Sequence, residues 1–288
     1  MKLAVFGKSV RGASHIRSGT RCQDSCRKII LEDGTAILAA ADGHGSASCP
    51  YSRTGSKIAA NLFCGVMRKM YLSYIGSRER FISLLASEGS LVVRTIEREW
   101  KNRVMESHTA NARPFPKGKS GETDVSSVYR QYGTTLLGLL VADTFLFACQ
   151  LGDGDICMVH EGIAEKLVDP PKILGVETYS LCGENAWTMA ETGIRRIRLS
   201  SMAPVMFTLT TDGFSNSYES EAGFREALSD YLKAVREHGV GAVKENLPAW
   251  LKETSAFGCG DDITMAAACC LPERGGEGID PGGQEQDA

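Results

Sequence analysis

Aspartate stands at the ends of several apolar segments of this sequence, where a carboxylate could take part in chemistry. The apolar run 36–41 leads directly into Asp42, Gly43 and His44 with no other polar residue between them. A single aspartate beside glycine is usually a turn residue, so one such occurrence would predict little. The pattern recurs beside further apolar segments, at Asp24, Asp153, Asp212 and Asp261.

This repetition predicts a cation site. The ends of neighbouring antiparallel strands lie side by side, so aspartates there can gather at one edge of a sheet. Gathered carboxylates raise one another's pKa unless a cation neutralises them. Ligation by oxygen alone suits Mg²⁺ or Mn²⁺ rather than zinc. Glycine beside aspartate, as at Gly43, allows the backbone to come close and lets a carbonyl oxygen join the ligands.

The elements that must position these aspartates are short strands and a few longer helices. Turn pairs separate several of the apolar runs, which favours antiparallel strands because parallel pairing would need long crossovers. Strands are predicted at 2–7, 25–31, 35–41, 132–141, 144–151, 155–160, 163–167, 194–199, 205–211 and 263–270. Apolar residues three and four apart predict helices at 52–70, 78–105, 219–237 and 241–254. Segments 107–130 and 169–192 lack periodicity and are predicted to be loops.

This order of elements predicts an α+β fold in which two packed antiparallel β-sheets, a β-sandwich, carry α-helices on both outer faces, giving four αββα layers. Residues 1–270 are expected to form one domain. Residues 271–288 are rich in glycine and acidic side chains, and we expect them to be a disordered acidic tail.

Composition restricts the possible partners. The formal net charge of −3 gives no support to nucleic-acid binding or to docking on an anionic membrane. The N-terminal apolar run is too short for a signal peptide, so a cytoplasmic protein, monomeric in solution, is expected. The ten cysteines form no CxxC pair and no Cys-x5-Arg phosphate loop, and we expect them to be reduced.

Five segments, in order, resemble the motifs of the metal-dependent protein phosphatase 2C (PPM-type) family. They are AAADGHGSA (39–47), YGTTLLG (132–138), LGDGDI (151–156), TLTTDGFSNS (208–217) and GDDITM (260–265). Segment 12–25, GASHIRSGTRCQDS, also resembles the opening motif of a bacterial branch. The resemblance covers about residues 8–270 and implies a serine/threonine phosphoprotein phosphatase.

The resemblance also implies a ligand set for two Mn²⁺ or Mg²⁺ ions. Asp42 matches the bridging ligand, and the carbonyl of Gly43 would bind one of the metals. Asp212 and Asp261 match the remaining carboxylates, while Asp153 matches a ligand of a weaker third metal. Asp24 matches the acid of the opening motif, where the family usually has Glu-Asp and this chain has Gln23-Asp24.

The family's mechanism implies direct attack on phosphorus by a water or hydroxide that bridges the two metals. His44 matches the general acid that protonates the serine or threonine leaving group, and a phosphorylated protein would be the substrate. The family's phosphate-binding arginine has Gly19 at its usual position. Arg17, Arg21 and His15 are therefore the candidates to hold the phosphate.

Two other interpretations compete with an active phosphatase. An N-terminal nucleophile hydrolase also has helices around two sheets, but it needs Thr, Ser or Cys at the mature N-terminus, and this chain begins Met1-Lys2. A phosphatase fold used as a binding or regulatory module, with little catalysis, is favoured by Gln23 and the displaced arginine. The retained acids and His44 favour the enzyme.

Overall fold

The computed structural model describes residues 3–118, 120–170 and 178–272. Ten strands are present in these ranges: β1 Ala4–Val10, β2 Ser25–Ile30, β3 Ala36–Ala41, β4 Leu136–Val141, β5 Phe145–Leu151, β6 Asp155–His160, β7 Ile163–Lys166, β8 Glu191–Arg196, β9 Val205–Thr210 and β10 Ile263–Cys270. The helices in the same ranges are α1 Ala13–Ser18, α2 Ser52–Ser73, α3 Arg78–Glu88, α4 Ser90–Ala110, α5 Val125–Arg130, α6 Leu199–Met202, α7 Asp212–Ser215 and α8 Glu221–Phe257, with a 3₁₀ helix at Ala186–Met189.

The strands form two five-stranded sheets, and every strand pair within the described residues is antiparallel. The first sheet has the order β1-β10-β9-β6-β7, and the second has the order β2-β3-β4-β5-β8. This confirms the predicted pair of antiparallel sheets. The two sheets hold different strand-end aspartates, so any site that collects all of them must lie where the sheets meet.

Three apolar layers hold the helices and sheets together. Alternate residues of β3 face opposite ways: Ile37 packs with α2, α3 and α4, and Leu38 packs between the two sheets. Helix α8 covers the outer face of the first sheet, where Phe224 and Leu228 pack against Met206 of β9. The layers therefore follow the predicted helix–sheet–sheet–helix order, and β3 is buried on both faces.

Some predicted elements differ from those of the structure. The single helix predicted at 78–105 is two helices, because Gly89 separates α3 from α4 and packs tightly beneath β5 and β8; a Cβ on Gly89 would lie 2.9 Å from Thr192 Oγ1. The predicted loop 107–130 contains the end of α4 and all of α5, which begins after Asp124, whose side chain accepts from Ser127 N.

Other predictions agree more closely with the structure, or lie outside it. The break predicted between helices 219–237 and 241–254 is a kink of α8 at Gly239, where φ is 81°. Residues 171–177 of the predicted loop 169–192, and residues 273–288 of the predicted tail, lie outside the described residues. Within the part of the chain that the structure describes, no helix combines the length and apolarity needed to cross a membrane.

Candidate active site

Asp24 and Asp42 are neighbours because of strand register. Ser25 pairs with Ala41 at one end of the β2–β3 ladder, so the residue before β2 and the residue after β3 lie at the same edge. Thr135 fixes the backbone of Asp42 from both sides: its Oγ1 accepts from Asp42 N at 2.9 Å, and its backbone N donates to Asp42 O at 2.9 Å. Asp42 therefore has a rigid backbone position.

The first sheet, which contains β9, places Asp212 at the same site. Asp212 follows the end of β9, and Thr211 beside it pairs with Thr264 of β10 through a 3.1 Å backbone hydrogen bond. Thr211 Oγ1 donates to Asp24 Oδ2 at 2.8 Å and accepts from Thr264 N at 2.8 Å. One buried hydroxyl thus joins an acid of one sheet to the backbone of the other.

The carboxylates at this edge lie close together, with Asp24 buried and Asp42 and Asp212 partly buried, and they perturb one another. Burial and the charge of Asp262 raise the pKa of Asp24 to about 7. Burial, followed by the charges of Asp24 and Asp212, raises the pKa of Asp42 well above its usual range. Burial and the charge of Asp153 raise the pKa of Asp212 to about 6. Three adjacent acids therefore lack a compensating positive charge that would keep them ionised.

The donor set fits a divalent cation. In the described residues, Asp24 Oδ1 and Asp212 Oδ1 are buried and have no hydrogen-bond partner, which is unusual for buried polar atoms. The donors are all oxygen, as Mg²⁺ and Mn²⁺ prefer. No group of three or more His, Cys, Asp or Glu side chains among residues 3–118, 120–170 and 178–272 is already arranged as a formed metal site. This edge therefore offers carboxylate oxygens from both sheets to a cation.

Two adjacent aspartates before β10 have different environments. The Asp262 side chain is buried, and its oxygens accept from Gly12 N and Gln23 N at 2.7 Å each. The Asp261 side chain is half exposed and adds to the negative charge around Asp212. Asp262 thus anchors the loops around the site, and Asp261 presents a half-exposed carboxylate whose charge acts on Asp212.

Asp153 lies at the tight turn between β5 and β6. Its Oδ2 accepts a 2.7 Å hydrogen bond from Thr178 Oγ1, and its charge acts on Asp212. The structure therefore places Asp153 near Asp212.

His44 lies beside Asp42 in a position that depends on Gly133. Its backbone N donates to Gly133 O at 3.1 Å, and its Cδ2 lies 2.6 Å from where a Cβ on Gly133 would stand. Any side chain at residue 133 would displace the imidazole. Gly43 is similarly enclosed: a Cβ there would lie 2.8 Å from Gln23 O, and Gly43 forms an isolated bridge with Thr134.

The three candidates for phosphate binding occupy different positions. Arg17 lies in α1 and Arg21 lies in the segment before Asp24, and both are exposed. His15 is partly buried, with Nδ1 at 2.9 Å from Asp262 Oδ1 and Nε2 at 3.7 Å from Asp261 Oδ1. His15 is the member of this group for which the structure shows direct contact with aspartates of the site.

Sequence reasoning missed several residues that build the site, namely Thr134, Thr135, Ser180, Thr211 and Asp262. Thr134 Oγ1 donates to Asp42 O at 2.7 Å, and Ser180 Oγ donates to Thr134 O at 3.1 Å. For the three threonines, the available signal was their position inside the strand-end motifs. Their roles depend on partners far away in the chain.

Comparison with known proteins decides which family this arrangement belongs to. The model of the family described as Protein phosphatase 2C matches residues 11–252, most of the chain. The chain belongs to the protein phosphatase 2C family. As a member, it is a metal-dependent serine/threonine protein phosphatase, and the match gives no support to the inactive-module alternative. The search of curated proteins finds no match to the chain.

Solved structures show the same fold at low sequence identity. The chain is similar to the catalytic domain of the serine/threonine phosphatase PstP in complex with two manganese ions, with a TM-score of 0.57 and 18% identity over 93% of this chain and 98% of that one. The chain is also similar to the Mycobacterium tuberculosis serine/threonine phosphatase PstP/Ppp, with a TM-score of 0.56 and 17% identity over 95% of this chain and 100% of that one. PppA of Pseudomonas aeruginosa, a regulatory component of the type VI secretion system, has a TM-score of 0.56 and 14% identity over 93% of this chain and 98% of its own.

Proposed function

We propose that this phosphatase 2C chain hydrolyses phosphoserine and phosphothreonine esters with two Mn²⁺ or Mg²⁺ ions held between its two sheets. The observation that carries the proposal is a set of three adjacent acids with raised pKa values, the buried Asp24 and the partly buried Asp42 and Asp212. The manganese-bound PstP structure, which has the same fold, supports the choice of metal.

The proposed ligands follow from the site geometry. Asp42 is central, because it lies between Asp24 and Asp212, and the Gly43 carbonyl follows it in the chain. Asp261 completes the set from the β10 side, and Asp153 would serve a third, weaker ion. Asp262 is left out, because two backbone N–H groups already occupy its oxygens.

The chain's own groups have separate tasks in the reaction. Bound divalent cations would supply an acidified water as the nucleophile and neutralise charge on the phosphoryl oxygens. The strand-fixed backbone of Asp42 holds the ligand set in place, so little reorganisation is needed during the reaction. A ring nitrogen of His44 would donate the proton that the serine or threonine oxygen takes up on leaving.

Phosphate binding is assigned to the N-terminal segment. His15 is the first candidate, because its ring already lies beside Asp261. Arg17 and Arg21, both exposed, would approach only if the substrate draws them in. The partner is proposed to be a phosphorylated protein, bound by a monomer in the cytoplasm, with no nucleic acid or membrane involved.

Hydrolysis of p-nitrophenyl phosphate and of a phosphoserine peptide, with and without Mn²⁺, tests the function. Both substrates should turn over with Mn²⁺, and chelation should stop the reaction. If a folded protein hydrolysed neither substrate in excess Mn²⁺ or Mg²⁺, the proposed function would be wrong, and the binding-module interpretation would replace it.

A further inference from the structure

A surface groove lies beside the proposed metal centre and has no part in the reaction described above. Its volume is about 320 Å³, and three aromatic side chains, Tyr218, Trp250 and Phe257, contribute to its lining. Phe257 is 87% exposed, the most exposed large hydrophobic side chain in the described residues. A phenylalanine so open to water marks a candidate contact surface, because its burial by a partner removes apolar area from water.

The groove is continuous with the catalytic edge. One wall includes Ser217, whose Oγ donates to Gly213 O at 2.7 Å, directly after Asp212. The other wall includes Phe257 and Gly258, which lead into Asp261. Cys259 Sγ also contacts Gly213 O at 3.3 Å. A phosphorylated segment bound at the metals would therefore have its neighbouring residues close to this groove.

The lining indicates the chemistry of the occupant. Glu253 is the only charged residue among the described residues that line the groove, and the half-exposed Asp261 lies on the path to the metals. Aromatic faces beside a carboxylate favour a guanidinium or ammonium group together with an apolar side chain. The chain's own segment 273–288 is acidic, so it does not complement Glu253.

We infer that this groove binds the substrate segment next to the phosphorylated residue, and that it selects segments with an apolar residue and a lysine or arginine. The inference rests on the proposed phosphatase function. It assigns substrate specificity to the C-terminal end of α8.

Two phosphoserine peptides that differ only in their flanking residues test this. One carries leucine and arginine on both sides of the phosphoserine, and the other carries glycine and glutamate. The first should have a kcat/KM about tenfold higher, mainly through KM, a difference equivalent to about 1.4 kcal/mol. Phe257→Ser should abolish this preference, and Glu253→Lys should weaken the selection for arginine. Neither residue contacts the proposed ligands, so hydrolysis of p-nitrophenyl phosphate should be unchanged.

Ile163→Ser is the matched control, because Ile163 is also an exposed apolar residue, at 67%, and does not line the groove. If Phe257→Ser kept the wild-type preference while p-nitrophenyl phosphate was hydrolysed, the groove assignment would be overturned. A wild type inactive on both substrates would contradict the function instead. The groove would then be tested by titrating the protein with the unphosphorylated leucine–arginine peptide and following tryptophan fluorescence. The wild type should show a saturable change, and Phe257→Ser should not. If the wild type showed no saturable change, or if Phe257→Ser showed the same change, the groove assignment would be rejected.

Discussion

Thr211 Oγ1 donates a 2.8 Å hydrogen bond to Oδ2 of Asp24, and this bond connects the two sheets at the proposed metal centre. The same hydroxyl accepts from Thr264 N, so it is bonded on both sides in a buried place. The bond fixes one orientation of the Asp24 carboxylate while its other oxygen has no hydrogen-bond partner among the described residues. The sheet interface therefore helps to position the ligands.

Replacing Thr211 with valine should destabilise the protein and weaken metal binding. The change removes a buried donor and leaves Asp24 Oδ2 and Thr264 N unsatisfied, at a cost of about 1–3 kcal/mol. Thr208→Val on the same sheet is the control, because Thr208 Oγ1 is buried without a partner and its loss should be neutral. Thermal unfolding measures the effect, and equal melting temperatures for the two variants would contradict the role of Thr211.

Asp42→Asn should reduce phosphatase activity at least about 100-fold, the scale seen when one preorganised electrostatic group is removed. Because the change removes one of three mutually repelling acids, the metal-free protein should unfold at the same or a higher temperature. Asp143→Asn is the matched control, since Asp143 follows β4 at the opposite edge of its sheet and is exposed. Full activity in Asp42→Asn would refute the central ligand assignment.

His44→Ala should affect substrates unequally. A serine alkoxide needs a proton as it leaves, whereas p-nitrophenolate hardly does, so loss of a general acid should slow phosphoserine peptides about 10²–10⁴-fold and p-nitrophenyl phosphate far less. The readout is kcat for both substrates in the same Mn²⁺ concentration. An equal loss on both would instead assign His44 a role in positioning.

Gln23→Glu tests the departure from the usual acidic pair. Gln23 Nε2 donates to Ser52 Oγ at 2.9 Å, and Ser52 can reverse this bond and donate to a carboxylate. The added charge should lower the stability of the metal-free protein and tighten Mn²⁺ binding several-fold, because it adds an acid to an oxygen-ligand site. Calorimetric titration with Mn²⁺ measures this, and an unchanged or weaker affinity would show that residue 23 lies outside the metal's influence.

The free energy of unfolding of the metal-free protein should depend on pH, and the raised pKa values determine the direction of this dependence. Burial and neighbouring charges raise the pKa of Asp24 to about 7 and that of Asp212 to about 6 in the folded metal-free protein, against about 3.9 for aspartate in unfolded chains. The folded state thus binds more protons than the unfolded state between about pH 4 and pH 7, so the free energy of unfolding falls as pH rises through this window. Divalent cations need the ionised form, so stabilisation by Mn²⁺ should grow over the same window.

Differential scanning fluorimetry at about pH 5 and about pH 8 measures this linkage. Mn²⁺ should raise the melting temperature by several degrees at the higher pH and much less at the lower pH. Asp24→Asn should lose part of the pH dependence, because it removes one titrating carboxyl. Identical Mn²⁺ shifts at both pH values would show that these acids do not bind the ion.

The sequence predicted much of the fold because local signals and tertiary packing agree. Strands such as β3 and β10 are largely apolar and adjoin aspartates, which follow β3 and precede β10, so their lengths and ends could be predicted. The break at Gly89 was missed because its cause is close packing against Thr192, about a hundred residues away. Short helices such as α5 were missed because one capped turn leaves little periodicity.

The candidate site was predictable only in part, because the contacts that complete it join residues far apart in the sequence. Motif positions indicated the acids and His44, since each follows or precedes an apolar strand. The hydrogen bonds that orient them, from Thr211 to Asp24 and from Gly12 to Asp262, join residues that are remote in sequence. The aromatic groove around Phe257 carried no motif and became visible only when α8 was placed beside Asp261.

The central claim is that the acids between the sheets hold divalent cations, and a crystal structure of the wild type soaked in Mn²⁺ tests it most directly. Anomalous scattering should reveal two manganese ions, both contacting Asp42, with Asp212 and Asp261 among their ligands and Asp262 still bonded to Gly12. Crystals that bind no manganese at Asp42, in a protein that remains folded, would contradict the account.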